Sequence, residues 1–161
     1  MSGAAGIPVR AVVFDLDGTL ADTERLSDRA WAEVLARRGY TATPEDFAAL
    51  VGRPVAANLA HFAARVELGD PVGLRAEVRA AFLGLVAVDL RLHDDAVGAL
   101  RTLAGEGVAV GVATAAPREH ADRGLAAGGL TGVVAAVVAA ADVARHQPDP
   151  APYREALRRL G

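Results

Sequence analysis

Two residue types are missing from this chain of 161 residues: cysteine and lysine. Without cysteine there can be no disulfide bond, no thiolate nucleophile and no cysteine-ligated metal, and this composition favours a cytoplasmic protein. Without lysine, all 17 basic residues are arginine, whose permanently charged guanidinium is stiffer than a compact ammonium group. The basic side chains of this chain are therefore stiff guanidinium groups and not compact point charges.

The chain also lacks a strong excess of charge and a long apolar run. Its formal net charge is -3, and its arginines are scattered among aspartates and glutamates, so no basic face for a nucleic-acid backbone is expected. The longest apolar run, Val133–Ala141, is about half as long as a bilayer requires. Met1–Pro8 lacks the charged start and apolar stretch of a signal peptide. Neither nucleic acid nor a membrane is predicted as a partner.

Histidine is sparse, and its positions show no metal-ligand spacing. The four residues are His61, His93, His120 and His146. Each is interpreted as a solvated or packing residue. The chain does contain ample apolar material, with 52% hydrophobic and 23% charged residues. This composition predicts a globular protein with one domain, or one domain that carries an insertion.

The first half of the chain reads as one strand followed by helices. Val9–Phe14 is a short apolar run with β-branched residues, typical of a central parallel strand that is buried on both faces. Apolar spacing predicts helices over Asp22–Arg38, Val55–Val66 and Leu74–Val88. A further helix begins after Thr43, which has the N-cap residue type and is followed by proline and two acids. Residues 20–90 are therefore predicted to be helical.

The second half alternates between helix and strand. The predicted order is a helix, a strand, a helix, a strand and a final helix, over Asp95–Ala104, Val108–Ala113, Arg118–Ala127, Val133–Val138 and Pro152–Leu160. Such alternation indicates a parallel sheet with right-handed crossovers. The fold class is therefore α/β, with a doubly wound, Rossmann-like core that a helical insertion interrupts after its first strand.

The main chemical signal is a pair of carboxylates, Asp15 and Asp17, directly after the first strand. Ligands bind at the carboxyl ends of strands in open parallel sheets, and Gly18 permits a sharp turn there. One carboxylate, Asp15, can attack phosphorus, while Asp17 protonates the leaving oxygen and later activates water. A bound Mg²⁺ would offset the repulsion between anionic nucleophile and anionic substrate. The alternative is that both aspartates only form an Asx turn or cap the next helix.

The segment Asp15–Thr19 resembles the first motif of the haloacid dehalogenase-like (HAD) superfamily. The turn at 51–53, the run 107–114, the triplet 141–143 and the stretch 148–153 also resemble its helical-cap phosphatase subgroup, which includes phosphoglycolate phosphatase and β-phosphoglucomutase-like proteins. The resemblance implies a HAD core domain over residues 1–20 and 91–161, with a helical cap domain over 21–90. It also implies a Mg²⁺ cofactor held by the Asp15 carboxylate and the Asp17 carbonyl.

The resemblance assigns further residues to a phosphate site. Thr114, at the end of the second strand, matches the family hydroxyl that holds a phosphate oxygen together with the next backbone N–H, that of Ala115; ordinary helix capping is the alternative. Arg53 resembles a substrate-facing residue of the cap, and a solvated surface arginine fits equally well. Asp17 favours a phosphate ester over a halide substrate, because dehalogenases of the superfamily lack this acid. Ser27 stands where the related sugar-phosphate mutases carry histidine, which favours a hydrolase.

The chain departs from the family pattern in its third motif and at its end. Gln147 stands where the family has a lysine before Pro-x-Pro, and a neutral amide cannot neutralise the nucleophile and the phosphate. Arg145 is a possible substitute, although Asp149-Pro150 also fits a plain helix start. The sequence stops at Gly161, before the family's last core strands and its last acidic motif. We therefore expect an incomplete core in which the edge of the Asp15 strand is open to solvent or to a second copy.

Three hypotheses follow from these residues. The first is a Mg²⁺-dependent phosphatase that acts on a small phosphorylated metabolite through an aspartyl-phosphate intermediate. The second is a truncated or degenerate, non-catalytic HAD-like domain that binds phosphate or a partner chain, to which Gln147 and the early stop point. The third is a receiver-like signalling domain, which the long insertion after the first strand disfavours because such βα connections are ordinarily short.

Overall fold

The computed structural model describes residues 8–50 and 55–161. Their strands are β1 (Ala11–Phe14), β2 (Ala109–Ala113) and β3 (Ala136–Val138). Their helices are α1 (Glu24–Ala36), α2 (Pro44–Ala48), α3 (Val55–Ala63), α4 (Pro71–Asp89), α5 (Asp94–Gly105), α6 (Arg118–Ala127) and α7 (Ala151–Leu160). Within this part of the chain no helix is both long and apolar enough to cross a bilayer.

The chain divides into two compact units. The first combines Leu90–Gly161 with the described residues up to Asp22, and the second is Thr23–Asp89. The first unit holds all three described strands, whereas the second is helical. The chain leaves and re-enters the first unit at adjacent points, because Asp22 N donates to Arg91 O at 2.9 Å and His93 N donates to Leu20 O at 3.0 Å.

The sheet of the first unit is parallel, with the order β1-β2-β3 among the described residues. Ala11 pairs with Ala109, and Ala113 pairs with Val138. Both connections move in the same direction across the sheet, so right-handed crossovers put α5 and α6 on one face. Helix α7 packs against the other face. The α/β fold with a parallel, Rossmann-like sheet is therefore confirmed.

Alternating strand residues build the two layers of this core. Val110 and Val112 are buried with Leu100 of α5 and Leu125 of α6. Ala113 on the opposite face is buried with two residues beyond β2, Val138 and Ala156. The glycine at 111 lets α7 come close, since a Cβ atom there would lie 3.1 Å from Leu160 Cδ1.

Strand β1 corrects one sequence-based prediction. It was expected to be central and buried on both faces, but it forms an edge of the described sheet and Ala11–Phe14 are only half-buried. A continuous apolar run indicates burial without saying on which side a strand has a neighbour. The open edge itself was expected from the sequence, and its use by a second copy stays a prediction.

The second unit packs α1 to α4 around the aromatic side chain of Phe62. This ring stacks on Trp31, with centroids 5.5 Å apart, and meets Tyr40 and Phe47 edge-on. Helix α2 begins as predicted: Thr43 is its N-cap, Pro44 its first residue, and Thr43 and Asp46 form a capping box. Apolar and aromatic packing therefore accounts for the helical character of this unit.

Candidate active site

The turn that follows β1 is closed by its own backbone. Leu16 O accepts hydrogen bonds from Leu20 N at 2.9 Å and from Ala21 N at 2.8 Å, and the side chains of all three residues are fully buried. Gly18 has a φ of 71° and donates its N–H to Ala21 O at 2.8 Å. This left-handed geometry favours glycine. The buried leucines thus anchor a tight turn that carries Asp15 and Asp17.

Asp15 follows the last residue of β1 and is half-buried. Burial is the main cause that raises the pKa of its carboxyl group above the ordinary value, and the nearby charge of Asp17 adds to it. Two hydrogen bonds lower the pKa: Leu16 N donates to Oδ1 at 2.7 Å, and the side-chain amide of Gln147 donates to the carboxylate. The net shift of the pKa is upward, because these two hydrogen bonds, of which the one from Leu16 is the stronger, only partly offset the effect of burial.

Gln147 therefore lies beside Asp15, as its place in the third motif suggested. Its Nε2 also donates to the hydroxyl oxygen of Tyr153 in the first turn of α7 at 2.7 Å. Arg145 pairs instead with Asp149, with 3.4 Å between Nε and Oδ2, and its side chain is 74% exposed. Asp149 Oδ1 also accepts from the N–H of the first residue of α7, so this aspartate does serve the helix start.

Asp17 is joined to Thr114, a residue 97 positions later. Thr114 directly follows β2 and is buried. Its Oγ1 donates to Asp17 Oδ2 at 3.2 Å and accepts from Ala116 N at 3.0 Å. Ala115, between them, is exposed. The parallel register places the ends of β1 and β2 at one edge of the sheet, which is why these distant residues meet there.

Sequence reasoning missed His120, which it interpreted as a solvated or packing residue. The side chain is 3% exposed, and Nε2 lies 3.5 Å from Asp17 Oδ1. That carboxylate oxygen is buried and has no hydrogen-bond partner among the described residues. A signal was available: His120 begins the buried stripe of α6, the helix that starts just after the end of β2.

These contacts bear on the Asx-turn alternative for the two aspartates. Asp15 accepts from its immediate neighbour and Asp17 from a distant hydroxyl, whereas an Asx turn needs a local bond two residues ahead. Thr23 is the N-cap of α1, and its side chain makes no capping hydrogen bond. The hydrogen bonds of both carboxylates thus differ from those that define an Asx turn.

The donor set at this turn suits a hard cation. Among the residues that the structure describes, no group of three or more His, Asp or Glu side chains is arranged to hold a metal. Mg²⁺, however, is usually bound through only one or two protein carboxylates, with waters and substrate phosphate completing its shell. The carboxylate of Asp15, half-buried at the end of β1, and the backbone carbonyl of Asp17 in the same turn are oxygen donors of this kind. Arg53, the remaining predicted site residue, lies outside the described residues.

Comparison with known proteins gives concordant matches. Residues 9–161 match the haloacid dehalogenase-like hydrolase family. The chain is 32% identical over 152 residues to validoxylamine A 7'-phosphate phosphatase of Streptomyces hygroscopicus subsp. limoneus, covering 94% of this chain and 71% of that protein. It is also 32% identical over 162 residues to phosphoglycolate phosphatase of Rhodospirillum rubrum, covering 94% and 67%.

A solved structure supports the same assignment. A HAD family hydrolase from Deinococcus radiodurans R1, with bound phosphate and sodium, superposes with a TM-score of 0.75 at 26% identity, covering 96% of this chain and 68% of that one. The resemblance inferred from the motif at Asp15 is thereby confirmed, and the receiver-like hypothesis is rejected. Because the match extends from the first strand to the last residue, the chain belongs to the haloacid dehalogenase-like hydrolase family.

Proposed function

We propose that this hydrolase cleaves phosphate monoesters of small metabolites, with Asp15 as nucleophile and Asp17 as general acid and base. One observation carries the proposal: two carboxylates share the turn at the end of β1, and each makes a different set of contacts. Asp15 is bonded to a backbone N–H and to Gln147, while Asp17 is bonded to the hydroxyl of Thr114. Relatives named as phosphatases support the same reaction class.

The proposed first step is in-line displacement at phosphorus. An Asp15 carboxylate oxygen forms a bond to phosphorus as the bond between phosphorus and the ester oxygen breaks. Protonated Asp17 gives its proton to that leaving oxygen, so the alcohol departs neutral. Asp15 then carries the phosphoryl group as an acyl phosphate. Asp17, now ionised, is the base for the second step.

The second step returns the enzyme to its starting state. Asp17 takes a proton from a water molecule, the resulting hydroxyl oxygen bonds to phosphorus, and the bond between phosphorus and the Asp15 oxygen breaks. Inorganic phosphate leaves and Asp17 is again protonated. The Thr114 hydroxyl and the N–H of Ala115 are the proposed donors to phosphate oxygens, from the buried end of β2. Both steps therefore need Asp17 in a fixed position.

The Asp15 carboxylate and the Asp17 backbone carbonyl are also the proposed Mg²⁺ ligands. When bound there, the cation supplies positive charge that offsets the repulsion between the anionic nucleophile and the phosphate dianion. Gln147 leaves this compensation incomplete, because its amide donates a hydrogen bond but carries no charge.

The second compact unit, Thr23–Asp89, is proposed to be the family's helical cap, and the first unit its catalytic core. Arg53 belongs to the insertion and is the proposed specificity residue. Ser27 in α1, where related mutases carry histidine, favours hydrolysis of the substrate over its isomerisation.

Turnover of p-nitrophenyl phosphate tests the proposed reaction. Wild-type protein should release p-nitrophenol only with Mg²⁺, and an excess of chelator should stop it. Asp15→Asn should reduce turnover to background, because an amide is neither a nucleophile nor a strong metal ligand. Asp122→Asn makes the same chemical change at an exposed position of α6. It is the matched control and should keep full activity.

Two outcomes would contradict the proposal in different ways. Unchanged turnover in Asp15→Asn would remove Asp15 from its role. An inactive wild-type protein that nevertheless binds inorganic phosphate would favour the non-catalytic alternative, for which the neutral Gln147 is the supporting observation.

A further inference from the structure

We infer that His120 is a positioning residue for Asp17, and that it makes the enzyme effective on esters whose leaving alcohol must be protonated. The inference rests on the proposed function, because it gives His120 a role through the proposed general acid. The structural basis is the 3.5 Å approach of His120 Nε2 to Asp17 Oδ1.

One oxygen of the Asp17 carboxylate has a hydrogen-bond donor and the other lacks one among the described residues. Oδ2 is held by the Thr114 hydroxyl at 3.2 Å. Oδ1 is buried yet has no hydrogen-bond partner among the described residues, although the side chain as a whole is 38% exposed. A buried carboxylate oxygen is costly to leave without a donor. A movement of about half an ångström would bring Nε2 to the usual N–H···O distance of about 2.9–3.0 Å.

The position of His120 is fixed by the helix that carries it. Its side chain is 3% exposed and lies on the same buried stripe of α6 as Ala121, Gly124 and Leu125. The turn that carries Asp17 packs on this stripe, since a Cβ atom at Gly124 would lie 3.4 Å from Leu16 Cδ1. Helix α6 therefore contacts the turn through Gly124, and the same contact places the imidazole of His120 near the carboxylate of Asp17.

This geometry fixes the general acid without blocking it. With the proton on Nε2, His120 donates to Oδ1, and this hydrogen bond holds the Asp17 carboxylate in place when the Thr114 hydroxyl turns from Oδ2 to a phosphate oxygen. Each carboxylate oxygen keeps a second lone pair that can carry the transferred proton. Proton donation matters most for alkyl phosphates, whose alkoxide is a poor leaving group, and least for p-nitrophenyl phosphate. Loss of His120 should therefore affect these two substrates unequally.

Kinetics with both kinds of leaving group provide the test. In His120→Leu, kcat for an alkyl phosphate should fall at least about tenfold more than kcat for p-nitrophenyl phosphate, as part of the 10²–10⁴-fold that general acid catalysis typically contributes. KM should change little. His120→Gln, whose amide nitrogen can replace Nε2 as a donor, should recover most of the alkyl phosphate activity. Asp122→Ala, exposed on the same helix, is the control.

Equal losses on both substrates, or a His120→Gln variant no better than His120→Leu, would overturn the inference. Thermal unfolding of each variant identifies a loss that reflects misfolding. Nitrogen-15 NMR of the histidine side chains gives a second readout that needs no activity. Nε2 of His120 should carry the proton, and its resonance should move upfield in Asp17→Ala; a bare Nε2, or no movement, would also overturn the inference. A wild-type chain inactive on every ester contradicts the proposed function alone, and the NMR result then decides this inference.

Discussion

The two units place aspartate in opposite surroundings. In the second unit, Asp46 is buried and saturated: it accepts from Tyr40 Oη at 2.8 Å and from Thr43 N at 3.0 Å, and it pairs with His61 at 2.8 Å and Arg65 at 3.2 Å. The backbone N–H of Thr43 is the largest cause that holds the pKa of the Asp46 carboxyl group far below its ordinary value, followed by His61 and Tyr40.

In the first unit, burial without enough donors has the reverse effect. The pKa of Asp15 is raised by desolvation, and one buried oxygen of Asp17 has no donor among the described residues. The comparison shows how the same side chain serves structure or chemistry. A carboxylate with every lone pair in use holds helices together, whereas an under-satisfied one has oxygens left for phosphorus, protons or a cation.

Of the substitutions that test this contrast, Gln147→Lys should have the largest effect, because it places a positive charge beside Asp15, whose present neighbour Gln147 is neutral. An ammonium group beside Asp15 should lower the pKa of that carboxyl group and raise kcat by about 10²–10³-fold, by analogy with a deleted oxyanion-hole donor. Steady-state kinetics with p-nitrophenyl phosphate measure it. Gln147→Met, similar in size but without donors, is the control and should not raise kcat. An unchanged kcat in Gln147→Lys would show that charge at this position does not limit the reaction.

Asp46→Asn should destabilise the second unit, in which Asp46 is fully hydrogen-bonded. The substitution leaves the His61 and Arg65 donors without their buried anion, and removing one partner from such a pair typically costs about 3–5 kcal/mol of unfolding free energy. Glu77→Gln breaks the Arg38–Glu77 pair, whose Glu77 side chain is 46% exposed, and should cost far less, because solvent screens the pair. Urea unfolding compares the two variants. Equal losses would mean that Asp46 contributes no more than a surface ion pair.

The smallest effect is a difference in titration. Carboxyl carbon NMR of the metal-free protein should show Asp15 titrating above the ordinary pKa of 3.8 and Asp46 titrating below it. Because folding lowers the pKa of Asp46, its ionised carboxylate stabilises the folded state above pH 3.8, and this stabilisation is lost as the pH falls through the lower folded pKa. Asp46→Asn should remove that loss. The reverse order of titration would contradict the contrast between the two units.

Local signals were enough to predict most of the fold. Helix α6 spans the predicted residues Arg118–Ala127, because its apolar spacing and preceding proline both mark the start. Helix α4 begins earlier than its apolar pattern suggested, since Asp70 caps it by accepting from Val72 N and Gly73 N. The predicted strand Val133–Val138 shrinks to Ala136–Val138: Val133 N and Val134 N bond to Leu130 O in a turn, which hydrophobicity does not reveal.

The candidate site was predictable as far as motifs reached. Asp15 and Asp17 follow from residue type at a strand end, whereas Thr114 and Gln147 follow from the resemblance to the HAD motifs. The structure brings all four to one edge of the sheet. Their catalytic roles stay predictions. The spacing of α6 could have predicted that His120 is buried, but not that it lies near Asp17, because that approach depends on how α6 packs on the turn. Arg145 was a possible replacement cation, but in the structure it pairs with Asp149 four residues later, a choice of partner that residue type alone does not determine.

The covalent intermediate on Asp15 tests the central claim most directly. Wild-type protein mixed with substrate and quenched in acid can be reduced with borohydride, which converts an aspartyl phosphate to homoserine. Peptide mass mapping should then find homoserine at position 15 alone, with none in the Asp15→Asn variant. Modification at another residue, or an active enzyme whose quenched samples yield no homoserine at position 15, would contradict the account.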